Sequence, residues 1–266
     1  GFSLVRLLMI WEALEPTPGV YNSNYIDQLE KIVDSAGSAG LKVFLDMHQD
    51  VFSRVFCGDG APEWAAITNL EKPECPPPCP NCIPTYHWSQ NYFSPSTMAS
   101  FDNFWKNSTL QEHFIGAFVR VAERFKDRPA VIGYEIFNEP SFGSLPPLDP
   151  QFEEKLLGPF YKKVVARVRQ VDPDSVIFLE PSVSANYGGK TSLKKIPFPN
   201  IVFAPHYYEF ISMGSSRDKA QTDFSLIDDQ CRKQLGNIPW ILGEFGVGMG
   251  ASDPFLPEIL QPQLEL

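Results

Sequence analysis

Six short apolar runs in this chain each end abruptly in polar residues, and stretches with helical apolar spacing separate most of them. Val131 to Phe137 is the sharpest case. It is β-branched and aromatic enough for a buried strand, yet it runs straight into Asn138-Glu139-Pro140. Proline has no N–H to continue a ladder, so the backbone must turn just after Glu139. The other runs are Phe2–Ile10, Leu41–Met47 (ending in Asp46-Met47-His48-Gln49-Asp50), Val176–Leu179 (before Glu180-Pro181), Ile201–Ala204 (before Pro205-His206-Tyr207-Tyr208) and Trp240–Leu242 (before Gly243-Glu244).

Between them, apolar residues recur at helical spacing. Ile26, Leu29, Ile32, Val33 and Ala36 make one face, with Ser23 or Asn24 as its cap. Phe114, Phe118, Val121, Ala122 and Phe125 make another, opened by a Thr109–Glu112 capping box. Phe152 to Val171 and Ala220 to Leu235 supply two more. Alternating strand and helix implies a parallel sheet, and polar clusters at so many strand ends favour a closed barrel, which gathers them at one mouth, over a doubly wound sheet. The expected fold is an α/β (β/α)8 TIM barrel with about six of its eight units present, read as one partial catalytic domain over residues 1–266. Val51 to about Ser100 shows little periodicity but many aromatics, and is expected to be an ordered functional loop.

The formal charge of −10, with no basic stripe, argues against a nucleic-acid partner. No apolar run is long enough for a transmembrane span. The chain opens at Gly1 without a methionine or a signal peptide, and so reads as part of a longer protein with its targeting segment outside it.

Glycoside cleavage with retention of configuration needs two carboxyl groups about 5–5.5 Å apart, one as acid/base and one as nucleophile. Glu139 and Glu244 stand at the ends of two predicted strands and are the natural pair. Arg6 lies inside an apolar run and requires a partner, either in a structural ion pair or in a site. Isolated strand-end carboxylates are often caps or ion-pair members, and Glu12, Glu15, Glu180 and Glu209 are read as structural.

Arg6, the Asp46–Asp50 cluster, Asn138-Glu139-Pro140, His206-Tyr207-Tyr208 and Gly243-Glu244-Phe245-Gly246 together resemble retaining β-glycosidases of glycoside hydrolase family 5. More narrowly, Leu45 to Val51 followed by Phe56-Cys57-Gly58-Asp59-Gly60-Ala61-Pro62 resembles endoglycoceramidases. The resemblance implies Glu139 as acid/base and Glu244 as nucleophile. It also implies that Asn138 holds the sugar 2-hydroxyl and that Arg6 and Tyr208 orient an ionised Glu244. His48 and His206 are expected in the same shell, the alternative being core histidines satisfied by hydrogen bonds. Asp46 and Asp50 are expected to bind sugar hydroxyls or fix His48. Trp88 is a candidate stacking platform for a sugar ring, the alternative being loop packing.

The activity implied is hydrolysis of the bond between oligosaccharide and ceramide by double displacement, on a glycosphingolipid at a membrane or micelle surface. Alternatives are a family 5 enzyme for steryl glucosides or β-glucans, and a non-catalytic binding barrel. No cofactor or metal is expected, and the full-length protein is expected to be a monomer, secreted or lysosomal. Family members have further strands at both ends, and endoglycoceramidases add a β-sandwich, so this stretch alone is expected to be marginal or inactive.

Cys75, Cys79 and Cys82, with His87 or Cys57, have a spacing that zinc can use, but disulfides involving Cys57 are the favoured reading, with Cys231 a buried thiol. Asn107-Ser108-Thr109 is a glycosylation sequon.

Overall fold

The computed structural model describes residues 2–75, 88–186, 190–209 and 217–247. Cys79, Cys82 and His87 lie outside them.

Strands β1 (Leu4–Ile10), β2 (Lys42–His48), β3 (Val131–Glu135), β4 (Val176–Leu179) and β5 (Ile201–Phe203) form one parallel sheet in sequence order. β6 (Tyr207–Glu209) follows β5 after a short break and pairs in parallel with β7 (Phe245–Val247), while Phe203 bridges Trp240. Six adjacent strand positions therefore run side by side, as in an arc of a (β/α)8 barrel. The helices are α1 (Trp11–Leu14), α2 (Ser23–Ser38), α3 (Pro95–Lys106), α4 (Ser108–Phe125), α5 (Gly158–Val168) and α6 (Arg217–Lys233).

Period-two alternation sorts each strand between two environments. Val43, Leu45, Tyr134, Ile177 and Leu179 join the large core under the helices, where Phe104, Phe114, Phe137 and Phe160 meet with ring centroids 5.3–6.4 Å apart. On the other face Phe44 stacks on Phe178 at 4.3 Å beside Ala204. Two residues further along the chain are Asp46 within β2 and Glu180 just past the end of β4, and two beyond Ala204 is His206. Burial of that apolar layer thus sets a polar layer directly above it, toward the C-terminal strand ends. Gly133 is required where β3 meets β4, because a Cβ there would lie 1.9 Å from the Val176 carbonyl oxygen.

Several boundaries differ from the sequence expectation. The cap of α2 is Asn22, whose Oδ1 accepts the Tyr25 N–H, and not Ser23 or Asn24. Asn107, not Thr109, caps α4, accepting the N–H groups of Thr109 and Leu110. The stretch expected to be aperiodic contains 3-10 turns and the start of α3, capped by Ser94 with Pro95 in its first turn. Its periodicity is hidden because Ser96, Thr97 and Ser100 are buried alongside Phe101 and Phe104. Phe152–Leu157 is π-helical before α5 begins. Finally, Trp240 forms only a bridge, and strand β7 begins after Glu244.

Candidate active site

Arg6 points from β1 into the polar layer and is nearly buried. Its Nε donates to Glu135 Oε2 at 2.6 Å and its Nη2 to Asn138 Oδ1 at 2.8 Å; Nη2 also lies 3.1 Å from Asp46 Oδ2, and Nη1 donates to Glu244 Oε1. Burial by itself disfavours the guanidinium charge, but Asp46 and Glu135 outweigh it and raise the Arg6 pKa further. The arginine is therefore a fixed positive centre joining four residues. Glu135, one of the four, interrupts the Val131–Phe137 run as Arg6 interrupts Phe2–Ile10, but it is not among the sequence candidates.

Glu244 is held at both oxygens, the second accepting from Tyr208 Oη at 2.6 Å. Burial pushes its pKa up, but His206, Arg6 and the Tyr208 hydroxyl together hold it below the usual carboxylate range. Tyr208 in turn is raised, first by burial and then by its bond to Glu244, so it stays a donor.

Glu139 follows β3 in a turn with φ +42°, a left-handed conformation that a non-glycine residue adopts only when its surroundings hold it. Gln49 is one such restraint. Its Nε2 donates to the carbonyls of Asn138 (2.8 Å) and Glu139 (3.0 Å), while its Oε1 accepts the Phe52 N–H at 2.6 Å. Asn138 Nδ2 returns a bond to the Gln49 carbonyl at 2.8 Å, which aims Oδ1 at Arg6. The Glu139 carboxyl accepts from Asn186 Nδ2 at 2.7 Å and lies 3.0 Å from His206 Nδ1. His206 packs where a Cβ on Gly243 would lie 3.0 Å from its ring.

One carboxyl oxygen each from Glu139 and Glu244, with a His206 ring nitrogen, lie within 4.8 Å of one another. Glu135, Glu180 and His206 form a similar buried group. Neither is read as a cation site, since the Arg6 guanidinium already supplies positive charge to Glu135 and Glu244. To the side, His48 Nδ1 lies 2.7 Å from Asp46 and Nε2 3.5 Å from Asp50. Burial opposes a charged imidazole there, but the two carboxylates push its pKa up to about 10. Asp50 is raised by burial and by the Glu139 and Glu244 charges, with His48 opposing.

Nine of the ten sequence candidates therefore come together: Arg6, Asp46, His48, Asp50, Asn138, Glu139, His206, Tyr208 and Glu244. Trp88 opens a 3-10 helix, and its side chain lies outside the described residues. Gln49, Glu135, Glu180 and Asn186 belong to the site but were not among the candidates. A strand-end position was available as a signal for Glu180 and for Gln49, which stands in the polar cluster closing β2. Cys57 is bonded to Cys75, and Cys231 is free and buried.

Residues 1–259 match the family described as Cellulase (glycosyl hydrolase family 5). The chain is 32% identical to the endoglycoceramidase of Cyanea nozakii over 79% of its length and 46% of that protein's. It is 31% identical to endoglycoceramidase I of Rhodococcus hoagii over 93% of its length and 53% of that protein's. It also superposes on the ganglioside GM3 complex of endo-glycoceramidase II from Rhodococcus sp. with TM-score 0.87 and 32% identity, covering 99% of this chain and 63% of that one. The chain thus spans about half the length of the two sequence relatives, and its parallel strands form part of a (β/α)8 barrel. It belongs to glycosyl hydrolase family 5.

Proposed function

We propose that the protein is a retaining endo-β-glycosidase that cleaves between the oligosaccharide and the ceramide of glycosphingolipids. The observation that carries the reading is the Glu139–Glu244 pair, with oxygens within 4.8 Å, in line with the short separation that double displacement needs and below the roughly 6.5–9.5 Å of inverting enzymes. The two carboxyls sit in unlike environments. Glu244, held anionic by Arg6 and Tyr208, attacks the anomeric carbon, while Glu139 gives its proton to the departing glycosidic oxygen. The covalent glycosyl-enzyme then opens when water, deprotonated by Glu139, attacks the same carbon and frees Glu244. Asn138, fixed by Arg6 and Gln49, is placed to hold the sugar 2-hydroxyl as charge develops at the anomeric centre.

The ceramide leaving group is supported by the relatives, two named endoglycoceramidases and a third solved with a ganglioside. A substrate of that kind is met at a membrane or micelle surface. Among the described residues no helix is long and apolar enough to cross a membrane. The Cys57–Cys75 disulfide supports a secreted or lysosomal setting, where thiols are oxidised.

The test is incubation of the full-length protein with lactosylceramide, a steryl glucoside and a soluble β-glucan. Release of intact lactose from the first alone is expected. Cleavage confined to the second or third substrate overturns the ceramide assignment, and undiminished turnover by Glu244→Gln overturns the mechanism.

A further inference from the structure

Glu180, at the end of β4, has no part in the double displacement as written, yet it is completely buried against Glu139. Its Oε2 accepts the Glu139 backbone N–H at 2.6 Å. Its Oε1 lies 3.2 Å from His206 Nδ1, the nitrogen that stands 3.0 Å from Glu139 Oε1. One carboxyl group therefore reaches Glu139 twice, at the backbone directly and at the side chain through the imidazole. Glu180 is itself held from behind, its carbonyl accepting from Tyr161 Oη at 2.8 Å. The backbone it grips is the one at φ +42°, a strained conformation that persists only where its surroundings enforce it.

Charge balance says which form of Glu180 does this. Asp46, Asp50, Glu135, Glu139, Glu180 and Glu244 converge on Arg6, His48 and His206, so even three charged bases leave carboxylates in excess. Like charges packed this closely favour protonation of some of the carboxyls. Glu180 is suited to that, since its buried Oε1 receives no hydrogen bond among the described residues. Burial, with Glu135 and Glu139 beside it and only Arg6 and the Glu139 N–H opposing, holds it well above the ordinary carboxylate range.

We propose that Glu180 is a positioning residue for Glu139, fixing the strained backbone of the acid/base and seating His206 against its carboxyl so that the proton is delivered to the glycosidic oxygen. It acts as a neutral acid. The inference rests on the reading of Glu139 as acid/base.

The test compares Glu180→Ala, Glu180→Asp and Glu180→Gln in the full-length protein, with thermal unfolding as the check on folding. Two substrates are used: lactosylceramide, whose leaving group needs a proton, and 2,4-dinitrophenyl β-lactoside, whose leaving group does not. Ala and Asp are expected to lose about 10²-fold in kcat/KM on the first substrate and less than about 5-fold on the second, because kcat/KM reports the glycosylation step, in which Glu139's proton is needed for the ceramide leaving group and not for dinitrophenolate. Gln, a neutral isostere, is expected to recover at least about ten-fold over Ala on lactosylceramide. Equal losses on both substrates, no loss on either, or a Gln variant as poor as Ala each overturn the proposal. If Ala does not fold, Gln against Asp decides by the same criteria. Wild-type protein that cleaves neither substrate overturns the glycosidase reading itself, and the inference with it.

Discussion

Tyr208 and Arg6 take one oxygen each of Glu244, so the nucleophile has no freedom to turn and every reason to stay charged. Replacing Tyr208 by Phe removes one of the influences that hold Glu244 below the ordinary range. The acid limb of the kcat/KM–pH profile should then move to higher pH, and kcat should fall by about 10–10²-fold, the cost of a lost charge-assisted bond in the transition state. An unmoved acid limb would show that the tyrosine merely packs. At this scale Arg6, Asn138, Glu139, His206 and Glu244 were legible because each is a polar residue that interrupts or ends an apolar run, although the same signal at Glu135 and Glu180 does not by itself separate a site residue from a structural one. Gln49 and Asn186 were not legible. Both reach Glu139 through turns whose course is set by tertiary packing: Gln49 stands in a strand-end cluster without a charge to single it out, and Asn186 lies in a loop with no periodicity to break. Glu180 stood at a strand end but was read as structural, because its two contacts with Glu139 depend on the register of β3 against β4.

Elements carry the site by how closely they approach. β3 and β4 are near enough at Gly133 that a methyl group would meet backbone, which cannot yield as a side chain can. Gly133→Ala should therefore cost about 1–3 kcal/mol or more in urea unfolding, with activity falling in parallel as β4 and Glu180 are displaced. An alanine of wild-type stability would mean the strands are further apart. Asn107 ends α3 and caps α4, and in protein from a bacterial host Asn107→Ala should lose about 1 kcal/mol, with kcat unchanged. Helices α2, α4 and α6 could be read from apolar spacing. Helix α3 could not, because small hydroxyl residues share its buried face, and the Ser94-Pro95 start was a better guide than hydrophobicity.

Over the whole molecule, the barrel encloses more acidic than basic groups, and stability should follow their protons. His48 has a folded pKa of about 10 against 6.5 unfolded, so its contribution is complete below pH 6.5 and lost as pH rises toward 10. Glu135 and Glu180, held above the ordinary value of 4.5, act with the same sign: they favour the fold while protonated and lose that contribution as pH rises through their raised values. Glu244 has the opposite sign, contributing above pH 4.5 and losing that contribution as pH falls through its lowered value. The melting temperature should decline on the alkaline side, and His48→Gln should flatten the decline between pH 6.5 and 10. A variant with the wild-type slope would contradict this distribution of charge. The same enclosure brings Glu139 and Glu244, 105 residues apart in sequence, to within 4.8 Å. Their separation has a direct stereochemical consequence. Proton NMR of the sugar released in the first turnovers on a β-linked substrate should show the β-anomer appearing before mutarotation, and an initial α-anomer would contradict the double displacement on which the account rests.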